Sequence, residues 1–346
     1  MELVELWFII IAVLFIGYFV LEGFDFGVGM LLPILGRDRD AQVADTRRRV
    51  LINTIGPVWD GNEVWLITAG GAMFAAFPEW YATLFSGFYL ALLVILIALI
   101  VRVVAIEFRG KVDDPGWRRR WDLAIMTCSY VLAVLWGVAF ANIVRGVAMD
   151  ADHNVTYTLL DLLNPYGLLG GVTTLLVFLL HGTVFVALKT AGTVRTDAVA
   201  LAYKLSIPAT VVAAVFVLWT QLAFGKGWTW IPLLIAAVAL VGAIATTRVA
   251  REGWAFVLTS IAIVGTVVLL FGSLYPNVMP ASNNPAYSLT IHNASSSHYT
   301  LVVMTWVAVV LMPVVLIYQS WTYWVFRQRI STEQIPPSIG LPSSRK

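Results

Sequence analysis

Charged residues are scarce in this chain. Only 12% of its 346 residues are charged, against roughly 25% in an ordinary soluble domain, whereas 60% are apolar and 13% aromatic. No linker rich in Pro, Gly or Ser separates the apolar blocks before the last fifteen or so residues. These shortages exclude a soluble multidomain protein and indicate an all-α polytopic membrane protein.

Cysteine and histidine are also nearly absent. The single cysteine, Cys128, cannot form an internal disulfide and belongs to no CxxC motif, which excludes a covalently attached c-type haem and a thiolate zinc site within the chain. Of four histidines only His181 falls inside an apolar stretch, so a bis-histidine haem is excluded, whereas mixed ligation by His181 and a methionine stays arithmetically open. A net charge of +2 gives no reason to expect a nucleic-acid partner. Any redox metal would therefore be expected on a partner protein.

Apolar stretches of about 20 residues, the length that crosses a bilayer, recur along the chain. Seven of them contain no Asp, Glu, Lys or Arg over most of their length, and two more carry acidic residues inside them. The sequence therefore predicts nine spans in one transmembrane domain, residues 1–330, followed by a cytoplasmic tail, residues 331–346. The predicted spans are 6–35, 50–77, 80–104, 122–145, 162–188, 204–225, 227–247, 253–275 and 299–326.

Basic residues give the orientation, because Lys and Arg of short loops favour the cytoplasmic side. With the N-terminus outside, nine spans place all 22 basic residues except Arg145 and Lys226 on the cytoplasmic side. The C-terminus is then cytoplasmic. The first five residues carry no basic region, so no cleaved signal peptide is expected. Arg102 and Glu107, at the cytoplasmic end of the third span, are expected to be solvated or paired there.

Four acidic residues lie inside the first two spans. Glu22 and Asp25 are three residues apart, as are Asp60 and Glu63, so each pair shares one face of a helix. An acidic residue in mid-membrane costs roughly 2.5 to 3.5 kcal/mol on insertion scales. Four such residues within two spans therefore need favourable interactions, or a function, that offset this cost. Pro57 and Gly61 loosen the second span and leave carbonyl groups for polar partners or water.

These acids and His181 are predicted to lie between the cytoplasm and about mid-membrane, from a rise of about 1.5 Å per residue. The functional interpretation is a proton route or an ion site formed by Glu22, Asp25, Asp60, Glu63 and His181. The structural interpretation is a hydrogen-bonded network that fixes the register of the helices. For His181 the alternative is a hydrogen bond between helices.

Two motifs carry a family resemblance. The segments Glu22-Gly-Phe-Asp-Phe-Gly-Val-Gly-Met30 and Asn53-Thr-Ile-Gly-Pro-Val-Trp-Asp-Gly-Asn-Glu-Val-Trp65, with Leu180-His-Gly182, resemble subunit II of the cytochrome bd quinol oxidases. The resemblance extends over the whole chain in length and topology, and its specific motifs are concentrated in the first third.

The resemblance implies two four-helix bundles plus one peripheral helix, packed beside a subunit I that holds two b-type haems and haem d. It implies a bacterial plasma-membrane complex that oxidises quinol, reduces O2 to water and generates membrane potential, with protons drawn from the cytoplasm. No haem is expected on this chain, a quinone is a candidate cofactor, and small single-span accessory subunits are candidate partners. The family assigns the Asp60 position to a proton route, with Asp25 among its signature residues, and the Trp65 position to an oxygen route.

Two other functions compete with this one. A secondary transporter would use the interrupted first and second spans as an ion or solute site, but no inverted repeat is evident. A purely structural oxidase subunit would contain neither a proton route nor an oxygen route. For Trp65 an indole facing an apolar tunnel and one packed between helices are indistinguishable in the sequence.

Overall fold

Eleven α-helices make up most of the chain in a computed structural model that describes residues 2–156, 158–337 and 340–342. Arg345 and Lys346 of the predicted tail lie outside these residues. The helices are α1 (Leu3–Leu35), α2 (Ala41–Ile55), α3 (Trp59–Ala76), α4 (Pro78–Gly87), α5 (Tyr89–Phe108), α6 (Pro115–Arg145), α7 (Pro165–Lys189), α8 (Gly192–Phe224), α9 (Trp230–Arg248), α10 (Glu252–Leu274) and α11 (His298–Val325).

Short elements occupy the connections between the helices. Strands β1 (Val112–Asp113) and β4 (Leu341–Pro342) pair in parallel, and β2 (Asn277–Met279) pairs antiparallel with β3 (Leu289–Thr290). The four 3₁₀ turns are Leu159–Leu163, Gly227–Thr229, Pro285–Tyr287 and Thr332–Gln334.

Eight helices of the described residues are long and apolar enough to cross a membrane, judged by length and composition. They are α1, α5, α6, α7, α8, α9 with its preceding 3₁₀ turn, α10 and α11. The fold is thus that of a polytopic helical membrane protein, as predicted.

Two predicted spans are interrupted. The stretch 50–77 is divided between α2 and α3 at Gly56-Pro57-Val58, because Pro57 has no N–H to donate and its ring would clash with the carbonyl of Asn53. The stretch 80–104 is divided between α4 and α5 at Phe88, directly after Gly87, a weak helix former. Each of these two predicted spans therefore corresponds to two helices.

Helix α1 is the centre of the bundle. It packs against α3, α6, α7 and α10, and its whole stretch from Glu22 to Leu32 is buried. By contrast α11 packs on α1 and α3 and has Leu301 as its one buried residue in the described part of the helix. The acidic motif of the first span is thus enclosed on all sides, and α11 lies at the periphery.

Gly27 and Gly182 let α1 and α7 cross closely. A Cβ on Gly27 would lie 2.2 Å from the carbonyl oxygen of Phe178 and 2.7 Å from the Cα of Gly182. These neighbours are backbone atoms, which cannot rotate away as a side chain could.

We therefore predict that Gly27→Ala forces the helices apart and lowers stability by about 1–3 kcal/mol, the usual cost of overpacking. Thermal unfolding of the purified complex measures the loss. The matched control is Gly253→Ala in the first turn of α10, where a Cβ meets no atom within 4 Å. Equal stability of the two variants would contradict the prediction.

Candidate functional site

A buried cluster of charged side chains joins α1, α3 and α5. Arg102 Nη1 donates to Glu22 Oε1 at 2.5 Å and lies 3.3 Å from Glu63 Oε1. The side chains of Arg102 and Glu22 are wholly buried, and that of Glu63 is 21% exposed. The guanidinium also lies over the Phe26 ring, 4.9 Å from its centroid. One cation is therefore shared between acids from both predicted pairs.

Asp25 belongs to the same cluster. It is fully buried, and the charges of Arg102 and Glu63 act on its carboxyl group. Asn62 Nδ2 donates to Asp25 Oδ2 at 2.7 Å, which links α1 to α3 a second time. Two buried carboxyl oxygens, Asp25 Oδ1 and Glu22 Oε2, meet no donor group in the part of the chain that the structure describes, and the two carboxyl groups can hydrogen-bond to each other when one of them carries a proton.

Asp60 lies outside this cluster. It is exposed in the first turn of α3, and the described residues offer it neither a hydrogen bond nor an ion pair. Its charge nevertheless acts on Glu63, one turn further along the helix. The structure thus brings Glu22, Asp25 and Glu63 together and leaves Asp60 on the outer face of the same helix.

His181 is separate from the acids. Its Nε2 lies 3.0 Å from the carbonyl oxygen of Val20, and its Nδ1 lies 2.7 Å from Thr259 Oγ1. Because a carbonyl can only accept, Nε2 carries a proton, and in a neutral ring Nδ1 accepts from the threonine. The ring also stacks on Phe256 at 4.7 Å. No hydrogen bond in the described ranges joins His181 to an acid of the cluster, and its contacts instead tie α7 to α1 and α10.

Trp65 is packed between helices. A Cβ on Gly17 would lie 2.0 Å from Trp65 Cε3, so the indole lies directly against α1. Its Nε1 donates to Gln319 Oε1 of α11 at 2.8 Å. The next two residues, Leu66 and Ile67, line an apolar cavity of about 630 Å³ between α3, α5 and α6, whereas Trp65 does not.

Sequence reasoning did not place four members of the site. Arg102 was expected to be solvated or paired at the cytoplasmic end of its span, and the structure pairs it but buries it among the acids. The neutral residues Asn62, Gln319 and Tyr323 were not singled out. Tyr323 Oη donates to Asn62 Oδ1 at 2.7 Å, and Gln319 Nε2 lies 3.4 Å from the carbonyl oxygen of Gly61. The available signal was a polar residue on an otherwise apolar helix.

A second charged cluster lies where α2, α5 and α6 end or begin. Arg109 donates to Asp122 at 2.5 Å and to Asp45 at 2.8 Å, and Arg118 reaches Asp45 at 3.1 Å. Arg47 of α2 pairs with Asp197 of α8. Segments that the basic-residue count assigned to the cytoplasm therefore meet at one end of the molecule.

Comparisons of the sequence with known proteins match one family. The sequence model described as "Cytochrome bd terminal oxidase subunit II" matches residues 3–326. The "Cytochrome bd ubiquinol oxidase subunit 2" of Bacillus subtilis is 43% identical over 335 residues, 95% of this chain and 97% of that protein. The "Cytochrome bd-I ubiquinol oxidase subunit 2" of Escherichia coli K12 is 37% identical over 368 residues, 95% of this chain and 96% of that protein.

A solved structure agrees in fold. The bd oxidase from Geobacillus thermodenitrificans matches with a TM-score of 0.75 at 17% identity, covering 94% of this chain and 99% of that one. From the family match and the relatives together, the chain belongs to the family of cytochrome bd terminal oxidase subunit II.

Proposed function

We propose that this chain, as subunit II of a cytochrome bd quinol oxidase, carries protons from the cytoplasm towards its partner subunit through the acids of α1 and α3. Membership of the family makes it part of an oxidoreductase complex rather than a secondary transporter. One observation supports the proton route above all: the single guanidinium of Arg102 is shared by two carboxyl groups, those of Glu22 and Glu63, and the buried carboxyl group of Asp25 follows Glu22 by about one turn of α1.

The charge balance of this cluster suits proton transfer. If Glu22, Asp25 and Glu63 were all ionised, Arg102 would offset only one of three negative charges in a low-dielectric interior, where an uncompensated charge costs several kcal/mol. A proton on one carboxyl group removes part of that excess. We propose that subunit I covers the surface where Asp60 is exposed, and that Asp60 exchanges protons between the cluster and that subunit.

The topology proposed for this role has nine spans, with α3 completing the count, the N-terminus outside and the C-terminus in the cytoplasm. The ion pairs that join α2, α5, α6 and α8 at one end of the molecule support it. We further propose that the spans form two four-helix bundles with α11 peripheral, in a bacterial plasma membrane.

Haem ligation does not suit the membrane histidine of this chain. Both ring nitrogens of His181 are engaged, by Val20 and Thr259, and a haem iron would displace one of these contacts. We therefore propose that the two b-type haems and haem d belong to subunit I. Quinol and O2 are then substrates of the complex, and accessory single-span subunits are further candidate partners.

The apolar cavity beside α3 supports a route or site for apolar molecules. Its walls include Leu66, Trp80, Phe88 and Phe140, and a volume of about 630 Å³ lies within the usual range for ligand pockets. We propose that O2 moves along this side of α3, with the fixed indole of Trp65 next to its wall, and that a quinone fits the same cavity.

The proton route is tested by Asp60→Asn in the complex with subunit I. The amide keeps the size of the side chain but cannot release a proton, so quinol-driven O2 uptake should fall roughly 10²-fold, the scale of a lost proton-transfer group, with the haem spectrum unchanged. Glu79→Gln, an exposed acid of α4, is the matched control and should retain full turnover.

Unchanged turnover of Asp60→Asn would refute the role of Asp60. Loss of haem together with activity would favour the purely structural subunit.

A further inference from the structure

A cavity of about 670 Å³ lies next to the break between α2 and α3. Asn53 and Pro57 line it on the side of the break, and Lys189 and Arg327 line it at the end proposed to face the cytoplasm. Tyr323 of α11 also belongs to its wall. We call this cavity the vestibule. It extends from the basic end of the molecule towards the acids of α1.

The vestibule has a fixed outer wall, formed by residues 326–336 after α11. Lys189 Nζ donates to the carbonyl oxygen of Gln328 at 3.2 Å and also to that of Phe326. The backbone N–H of Ile330 donates to the carbonyl oxygen of Lys189 at 2.9 Å. Arg49 Nη1 donates to the carbonyl oxygen of Pro336 at 2.7 Å, which fastens this segment to α2 as well. The wall is therefore held at both ends.

Tyr323 connects the vestibule to Asp25. Its hydroxyl donates to Asn62 Oδ1 at 2.7 Å, and Asn62 Nδ2 donates to Asp25 Oδ2 at 2.7 Å. The other oxygen of Asp25 is also buried. Two side chains thus separate a cavity open to the surface from an acid of the proposed route.

The chemistry of these two side chains means that they block proton transfer rather than conduct it. A tyrosine hydroxyl can pass a proton on, but a carboxamide has separate donor and acceptor atoms and does not titrate. In the observed arrangement Asn62 therefore interrupts proton transfer between Tyr323 and Asp25. Transfer requires the pair to part, so that water reaches the carboxyl group from the vestibule.

We infer that the vestibule is the cytoplasmic entrance for protons bound for Asp25, and that Tyr323 and Asn62 close its inner end. The inference rests on the proposed proton route. Tyr323 acts here as a positioning residue that holds the Asn62 amide across the path.

Blocking the vestibule tests this directly. Asn53→Cys, in a Cys128→Ala background, places this chain's one thiol on the exposed vestibule wall, and thiol reagents of increasing size are applied to the complex in inside-out vesicles. A methylthio adduct should leave turnover intact, whereas a bulky charged adduct should slow quinol-driven O2 uptake by roughly 10-fold, equivalent to about 1.4 kcal/mol in barrier height. Ala41→Cys, exposed at the start of α2 outside the vestibule, is the control and should show no size dependence.

Complete labelling of Asn53→Cys with the bulky reagent and full turnover would overturn the inference. That result would leave the proton route itself intact as long as Asp60→Asn still slows turnover, so the two failures can be told apart. The closure is tested by labelling alone: Asn62→Cys should be protected while Tyr323 is present and modified when Tyr323→Ala is added. Equal modification in both backgrounds contradicts a closing role for Tyr323.

Discussion

Replacement of Arg102 by methionine is expected to destabilise the complex more than any other single change at the site. Arg102→Met removes the cation and leaves Glu22, wholly buried, and Glu63 without their partner. Removing one member of a buried ion pair costs about 3–5 kcal/mol, because the remaining charge is uncompensated. The yield and thermal stability of the purified complex measure the effect.

A second substitution separates charge from packing. Adding Glu22→Gln to Arg102→Met removes the carboxylate that the guanidinium neutralised, so the double variant should be more stable than Arg102→Met alone. If the double variant lost as much stability as the two single variants summed, the ion pair would not be the reason for the loss.

Replacement of Asp25 by asparagine is expected to give the largest loss of turnover without loss of structure. The amide oxygen of Asp25→Asn can still accept the hydrogen bond of Asn62, so the contact between α1 and α3 is preserved. What disappears is a carboxyl group able to bind and release a proton. Quinol-driven O2 uptake should therefore fall by roughly 10² to 10⁴-fold, the usual contribution of a positioned proton-transfer group.

The control for Asp25→Asn lies on α7. Tyr166→Phe removes a buried hydroxyl that lies 2.8 Å from Thr220 Oγ1 and joins α7 to α8, and it should leave turnover unchanged. Haem content is measured on both variants. Normal haem with normal O2 uptake in Asp25→Asn would exclude Asp25 from the proton route.

The sequence predicted the fold more completely than the site. Apolar length located the long helices, and Glu22 and Asp25 were recognised because an acid is costly inside a bilayer. Pro57 was recognised as loosening the second span, but residues 50–77 were still predicted as one span, and the break at Phe88 was not expected, because an average of hydropathy over a span does not register where the backbone changes direction. The family resemblance was confirmed by the comparisons.

The site residues that the sequence did not predict were missed for a common physical reason, which is that their contacts depend on how the helices pack. The predicted spans placed Arg102 near the cytoplasmic end of the third span. The position of a residue along a helix does not predict which neighbouring helix its long side chain contacts. The link from Asn62 to Tyr323 joins residues 261 positions apart, so it depends on where α11 packs. Asp60 and Glu63 share a helix face by spacing, yet Glu63 contacts Arg102 whereas Asp60, one turn earlier in α3, is exposed.

We propose that acids of α1 and α3 deliver cytoplasmic protons to the oxidase reaction. The most direct test of this proposal is the single-turnover reaction of the reduced complex with O2 in vesicles, in which membrane potential and haem absorbance are recorded together. In Asp25→Asn, O2 should still bind the haem at the normal rate, whereas the growth of membrane potential that accompanies proton uptake should be slowed roughly 10²-fold or more. If the membrane potential of the Asp25→Asn complex grew at the same rate and to the same extent as that of the unsubstituted complex, the proposed proton route would be contradicted.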